Sequence, residues 1–244
     1  MSKKRVIFTA FVLISMSGMK SLNAQNSSTE TITAKDGKPI EFHFIKHGSV
    51  YFTYDGIVFY VDPVSYSGID YEQLPKADYI LITHDHYDHL DTNAIELIAK
   101  YSTAIIGNKE VKNKLSRECK AMVNYEQVIY QKVAIKAFPA YNTTLGREIF
   151  HPKGRDNGYL INVGGTCVYF AGDCENMPEM ETIGRVDVAF LPVNQPYTMT
   201  VEQAINATEK IGTKILFPYH YGDTDLKGLN VLKEKGVNVI VKPM

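Results

Sequence analysis

Between Tyr79 and Leu90 the chain passes from an apolar run straight into a dense cluster of metal-binding side chains. Tyr79-Ile80-Leu81-Ile82-Thr83 is short, Ile-rich and preceded by the turn-forming Pro75-Lys76-Ala77-Asp78, which predicts a buried strand. His84, Asp85, His86, Asp88 and His89 follow at once, three imidazoles and two carboxylates within six residues. Asp91 then stands as a candidate N-cap, with Ile95, Ile98 and Ala99 at helical spacing behind it. The cluster therefore occupies a strand-to-helix loop. There His84 and His86 reach one ion from alternate positions of an extended segment, while Asp88 and His89 turn toward a second. A divalent ion such as zinc takes neutral imidazole nitrogens and carboxylate oxygens, and a catalytic site keeps one position open for water.

The flanking sequence supplies strands and helices around that loop. Glu41 to Gly48, Ser49 to Tyr54 and Ile57 to Val61 are aromatic and β-branched runs, with Asp55-Gly56 as a hairpin turn and Asp62-Pro63 as a stop. Thr103 to Gly107 reads as a strand, Lys109 to Arg117 as a charged helix, and Val123 to Ala137 as further strand material. Gly158 to Val163 and Thr166 to Ala171 form a hairpin, because Gly164-Gly165 supplies the positive φ values of a two-residue turn. Asp187 to Val193 and Lys214 to Pro218 are buried strands on either side of a helix that Thr200 and Gln203 open as a capping box and that runs to Lys210. Asp225 to Lys235 is a final helix and Val237 to Val241 a closing strand.

His84, His86, Asp88 and His89 match the H-x-H-x-D-H signature, and with it the chain resembles the metallo-β-lactamase superfamily. The opening strands resemble the branch that includes sugar-phosphate lactonases and phospholipid-cleaving hydrolases. The resemblance implies an α/β (α+β) fold, a four-layer αββα sandwich, with two divalent ions, zinc first and manganese or iron as alternatives. Asp173, delivered by Tyr169-Phe170-Ala171-Gly172, matches the residue that bridges both ions, and His220, behind Lys214 to Pro218, matches the last ligand. The third histidine of the first site is missing from its usual place, where this chain has Pro139-Ala140-Tyr141-Asn142. His151, on a Gly/Pro-rich loop, is the expected substitute, and Tyr141 or Asn142 is the alternative. His47-Gly48-Ser49 stands where the branch has a Gly-His-Ser-like turn, in altered order, so His47 is a substrate-contact or supporting candidate. His43, mid-strand, reads as structural. Tyr197, on the loop after a buried strand, is a candidate donor to an oxyanion.

At the N-terminus, Lys3-Lys4-Arg5, the apolar run Val6 to Ile14 and the small residue Ala24 follow the order of a secretory signal peptide, and the run is short for a membrane span. The expected organisation is a signal peptide over 1–24, a flexible Ser/Thr-rich lead over 25–35 and one hydrolase domain over 36–244, exported to the periplasm or the cell exterior. Cleavage near Ala24 removes Lys3, Lys4, Arg5 and Lys20 and no acid, taking the formal charge from −1 to −1 − 4 = −5. A mildly acidic protein excludes electrostatically steered nucleic-acid binding as a reading. No sequence repeat is evident. The cysteines Cys119, Cys167 and Cys174, being odd in number, cannot all pair internally; Cys167 reads as a small buried hydrophobe and Cys174, beside Asp173, as a ligand candidate.

The chemistry implied is hydrolysis of an ester-like bond, such as a lactone or phosphodiester, in a small-molecule substrate. Two ions lower the pKa of a shared water toward about 7 and polarise the bond under attack, and Asp88 orients the resulting hydroxide and moves its proton to the leaving group. No Ser-His-Asp set, phosphate-binding glycine loop or dinucleotide fingerprint competes. The alternative is a non-catalytic or degraded metal-binding protein of the same fold, because of the histidine missing near Tyr141.

Overall fold

The computed structural model describes residues 28–244. The expected signal peptide, residues 1–24, lies outside them. Among the described residues, fourteen strands build two seven-stranded sheets in simple sequential order. The first holds β1 (Ser28–Thr33), β2 (Pro39–Lys46), β3 (Ser49–Tyr54), β4 (Ile57–Val61), β5 (Ala77–Leu81), β6 (Ala99–Gly107) and β7 (Lys120–Ala121). The second holds β8 (Gln127–Tyr130), β9 (Val133–Ala140), β10 (Asp156–Val163), β11 (Thr166–Phe170), β12 (Val188–Pro192), β13 (Ile215–Tyr219) and β14 (Asn238–Val239). Both sheets follow one plan: the first four strands pair antiparallel, and the fourth through seventh pair parallel. Architecture repeats here without any repeat of sequence.

Alternation along the strands sorts side chains into three cores, as a period of two requires. In β12, Val188 and Phe190 face the first sheet, while Ala189 and Leu191 face outward. The central core is aromatic: the Phe190 ring lies 5.3 Å from Phe42, 4.2 Å from Phe170 and 4.8 Å from Phe217. Each such ring buried contributes roughly 1.5–3 kcal/mol. Outside the first sheet, Ile80 and Ile82 pack with Ile95 and Ile98 of α1 (Thr92–Ile98) and Val111 of α2 (Lys109–Lys114). Outside the second, Leu191 and Leu216 pack with Ala204, Ala207 and Ile211 of α3 (Val201–Ile211) and Leu232 of α4 (Val231–Glu234). Helix, sheet, sheet, helix is the αββα sandwich.

Local chemistry sets the boundaries. Asp91 caps α1 through the amides of Asn93 and Ala94, and Thr200 and Gln203 close the capping box of α3. Four expectations are corrected. The 25–35 lead is not loose throughout, because Ser28–Thr33 pairs with β2 as an edge strand, where one wet face tolerates its threonines. The ligand-delivering strand ends at Leu81, so Ile82 and Thr83 already belong to the loop. The charged helix stops at Lys114, short of Arg117. The region 225–235 splits into a 3-10 turn, Leu226–Asn230, and the short α4, and the strand after it shrinks to Asn238–Val239.

Candidate metal centre

The predicted ligands meet along one edge, where the loops leaving several strands open side by side. His84 to His89 follow β5, Asp173 follows β11, His220 follows β13, His47 sits in the β2–β3 turn and His151 in the loop between β9 and β10. The amide of His220 donates to the His47 carbonyl at 3.0 Å, tying two of these loops together. Gly48 leaves room there for His89, since a Cβ would stand 3.0 Å from its Cε1 and press on the ring.

Among the described residues, three overlapping groups of donors form, and one of them, His84, His89 and Asp173, joins the other two. His84, His86 and His151 place ligand atoms within 4.8 Å of one another, and so do His47, Asp88, His89 and His220. Asp173 stands between them. Its Oδ1 is 3.5 Å from His89 Nε2, and its Oδ2 is 3.5 Å from His151 Nε2 and 3.2 Å from His220 Nε2. Asp88 Oδ2 lies 3.6 Å from His220 Nε2 and 3.3 Å from His47 Nε2.

Residues outside the expected set aim the rings. The buried Asp62 carboxylate, at the end of β4, accepts from the Thr83 amide at 2.7 Å, the Thr83 hydroxyl at 2.7 Å and His89 Nδ1 at 2.8 Å. Because the Thr83 hydroxyl proton goes to Asp62, its oxygen accepts from His84 Nδ1 at 2.9 Å. Asp156, held by Arg155, takes His151 Nδ1 at 3.2 Å. In all three histidines the Nδ1 side is engaged with the protein and Nε2 faces the other donors, the orientation a metal requires. Sequence reading took Asp62-Pro63 as a strand stop and passed over Asp156. The usable signal was that Asp62, like Asp173, ends an apolar strand with a carboxylate.

His84 Nε2, His89 Nε2, Asp173 Oδ1 and both ring nitrogens of His220 are buried without a hydrogen-bond partner. Each such group costs about 1–3 kcal/mol if left so. Divalent cations seated among them would satisfy His84 Nε2, His89 Nε2, His220 Nε2 and Asp173 Oδ1, so the donor set fits a metal. The charges agree. Burial would raise the Asp173 carboxyl, but His220, His89 and His151 outweigh it and hold it well below the carboxylate range; Asp88 is likewise held down against burial, by His220 and His47. Burial pushes the His84 imidazole well down, toward the neutral form a ligand needs. His89 goes the other way: Asp173 and Asp62 override burial and favour its proton. A cation and that proton compete for the same negative pocket, so binding the cation releases the proton.

Other candidates are placed elsewhere. Tyr141 donates to Glu179 at 2.7 Å and receives Lys153, and the Asn142 side-chain amide donates to the Tyr197 carbonyl at 2.8 Å. Cys174 lies in the apolar core under α3, where burial drives its thiol well up, and all three cysteines are free. His43 stacks on Tyr51 at 4.2 Å, away from the site. Tyr197 lines the cavity of about 790 Å³ that opens over the donors, together with His47.

Residues 41–220 match the model of the Beta-lactamase superfamily domain. A UPF0173 metal-dependent hydrolase of Nanoarchaeum equitans is 30% identical over 188 residues, 70% of this chain and 84% of that protein. A crystal structure from Parabacteroides distasonis, provisionally assigned as a metal-dependent hydrolase, shares 47% identity with a TM-score of 0.86, over 89% of this chain and 99% of that one. A metallo hydrolase of Ignicoccus hospitalis has the same fold, with a TM-score of 0.68 at 23% identity over 84% of this chain and 95% of that one. Signature, sandwich, converging donors and relatives agree, and the chain belongs to the metallo-β-lactamase superfamily, among its metal-dependent hydrolases.

Proposed function

We propose that this chain is an exported binuclear hydrolase, with zinc as its resident metal, that cleaves an ester-like bond in a small molecule. The observation that carries the reading is the convergence of histidine and aspartate donors, several of them buried and unpartnered, around one carboxylate, Asp173. His84, His86 and His151 would hold one ion and Asp88, His89 and His220 another, with Asp173 between the two groups. Such ions, when bound, would supply a water of lowered pKa and polarise the bond it attacks. Asp88, kept ionised, takes a proton from the attacking water and returns it to the leaving group. His47, at 3.3 Å from Asp88 Oδ2, keeps that carboxylate turned toward the reacting atoms, and Tyr197 touches substrate from the rim. Asp62, Thr83 and Asp156 hold the imidazoles still.

The test is turnover of a lactone and a phosphodiester by residues 25–244, before and after chelation and after return of zinc. Loss on chelation and recovery with zinc supports the reading. Metal binding without turnover of either substrate class leaves a metal-binding protein instead. Export is tested by the N-terminal residue of the protein recovered from cells, which the reading places at Gln25.

A further inference from the structure

The mouth of the cavity is far more aromatic than holding metals requires. Tyr66, Tyr87, Phe150 and Tyr197 line it. They form two pairs, with ring centroids 6.4 Å apart for Tyr66 and Tyr87 and 5.1 Å apart for Phe150 and Tyr197. Each pair is anchored beside a metal-binding residue in the chain, Tyr87 between His86 and Asp88 and Phe150 directly before His151. Yet the rings are offered to solvent: Tyr87 is 83% exposed, Tyr66 49% and Tyr197 47%. Singly exposed tyrosines are ordinary, but several around one opening make an apolar patch of the kind that marks a binding surface. Among the described residues, Lys46 is also the one lysine or arginine lining this cavity, and it makes no ion pair there. Asp85, in the same wall, is already neutralised by Lys114 at 2.5 Å. The rim therefore offers flat apolar faces and one uncommitted positive charge.

Resting on the hydrolase reading above, we propose that the substrate is a small anionic ester whose alcohol part carries an aromatic ring. Its planar ring packs against the Tyr66–Tyr87 and Phe150–Tyr197 pairs, and a separate anionic group, carboxylate or phosphate, pairs with Lys46. A cavity of about 790 Å³ accommodates a molecule carrying both groups along with the bond to be cut. Cleavage adds the oxygen of water to the acyl carbon, breaks the acyl C–O bond and leaves a proton on the departing alcohol.

The experiment compares kcat/KM of the zinc-loaded protein for 4-carboxybenzyl acetate, benzyl acetate and 4-carboxycyclohexylmethyl acetate, whose leaving alcohols are alike. The carboxybenzyl ester should lead each of the others by about threefold to tenfold, the size of an aromatic contact or an exposed ion pair. Lys46→Ala should erase the lead over benzyl acetate, read as the ratio of the two kcat/KM values in the same protein. Tyr87→Ala combined with Phe150→Ala should erase the lead over the cyclohexyl ester. A phosphorylated benzyl ester run beside the carboxylate decides which anion Lys46 prefers. Equal kcat/KM for all three esters, or leads that survive these substitutions, would overturn the proposal and leave the hydrolase reading intact. If no ester is cleaved, calorimetric titration with 4-carboxybenzyl alcohol separates the two ideas. Binding that Lys46→Ala weakens upholds the pocket chemistry while the hydrolase reading fails, and absence of binding overturns the proposal.

Discussion

The two sheets share one strand plan, yet they build the metal centre in different ways. In each, the turn between the second and third strands presents a histidine, His47 in the first sheet and His151 in the second, and the fourth strand ends in a buried aspartate, Asp62 or Asp173. Equivalent positions have taken different work. Asp173 faces the donors and touches three of the imidazoles, while Asp62 stands behind His89 and grips its far nitrogen. After the fifth strand the halves part company. The first sheet delivers His84, His86, Asp88 and His89 in one short loop; the second delivers Asn194 and Tyr197 to the cavity wall and places its last donor, His220, after its sixth strand. One half concentrates the chemistry in a contiguous segment, and the other disperses it over three loops that only folding brings together.

Substitutions can break that asymmetry or sharpen it. Asp88→Ala strikes the concentrated half and should lower turnover by about 10²–10⁴-fold with the far-ultraviolet circular dichroism unchanged. Undiminished turnover would remove Asp88 from the chemistry. The paired aspartates should diverge next. Asp173→Asn should lose bound metal outright, whereas Asp62→Asn should keep the same number of ions and bind them about 10–100-fold more weakly, as read by competition with a chromophoric chelator. Identical behaviour in the two variants would deny that they do different work. His47→Ala should leave the ion count intact and reduce turnover, unlike its counterpart in the second sheet.

A smaller effect concerns the loop that carries His151. Buried Glu175 accepts from the amides of Thr143 and Thr144 at 2.8 and 2.6 Å and from Arg147 at 3.3 Å, fixing that loop to the end of β11. Burial alone would raise its carboxyl, but the Thr144 and Thr143 hydrogen bonds outweigh it and hold the folded pKa below the ordinary 4.5. The stabilisation from its ionised form is therefore fully present above about pH 4.5 and fades as pH falls through the lower, folded value. Glu175→Gln should cost roughly 1 kcal/mol at neutral pH, and its stability gap from the wild type should narrow below that pH in denaturant titrations. A gap that stays constant into acid would show that the charge of Glu175 does not hold the loop.

The same asymmetry decided what could be read from the sequence. The His84 to His89 segment announces itself because its ligands are neighbours, and the strand before it and the Asp91 cap after it are local signals. Asp173 and His220 were legible because each ends an apolar strand at a place the signature leads one to search. His151 was reached by elimination, since its place depends on the course of the 141–156 loop, which Glu175 and Asp156 fix through contacts distant in sequence. Asp62 was missed although it also ends an apolar run, because its partners, Thr83 and His89, lie more than twenty residues away. The edge strand β1 was missed because its polar composition resembles a linker, and only pairing with Pro39–Lys46 makes it a strand. The aromatic rim carries no periodic signal at all, since Tyr66, Tyr87, Phe150 and Tyr197 come from four separate loops.

The central claim, that two sheets jointly hold two ions, is tested most directly by counting metal per chain in residues 25–244 purified without chelator, beside the His151→Ala protein. The account predicts about two ions in the parent and about one in the variant, because His84 and His86 alone make a weak site while Asp88, His89, His220 and Asp173 are untouched. Two ions in both proteins would remove His151 from the centre, and one ion or none in the parent would contradict the binuclear account itself.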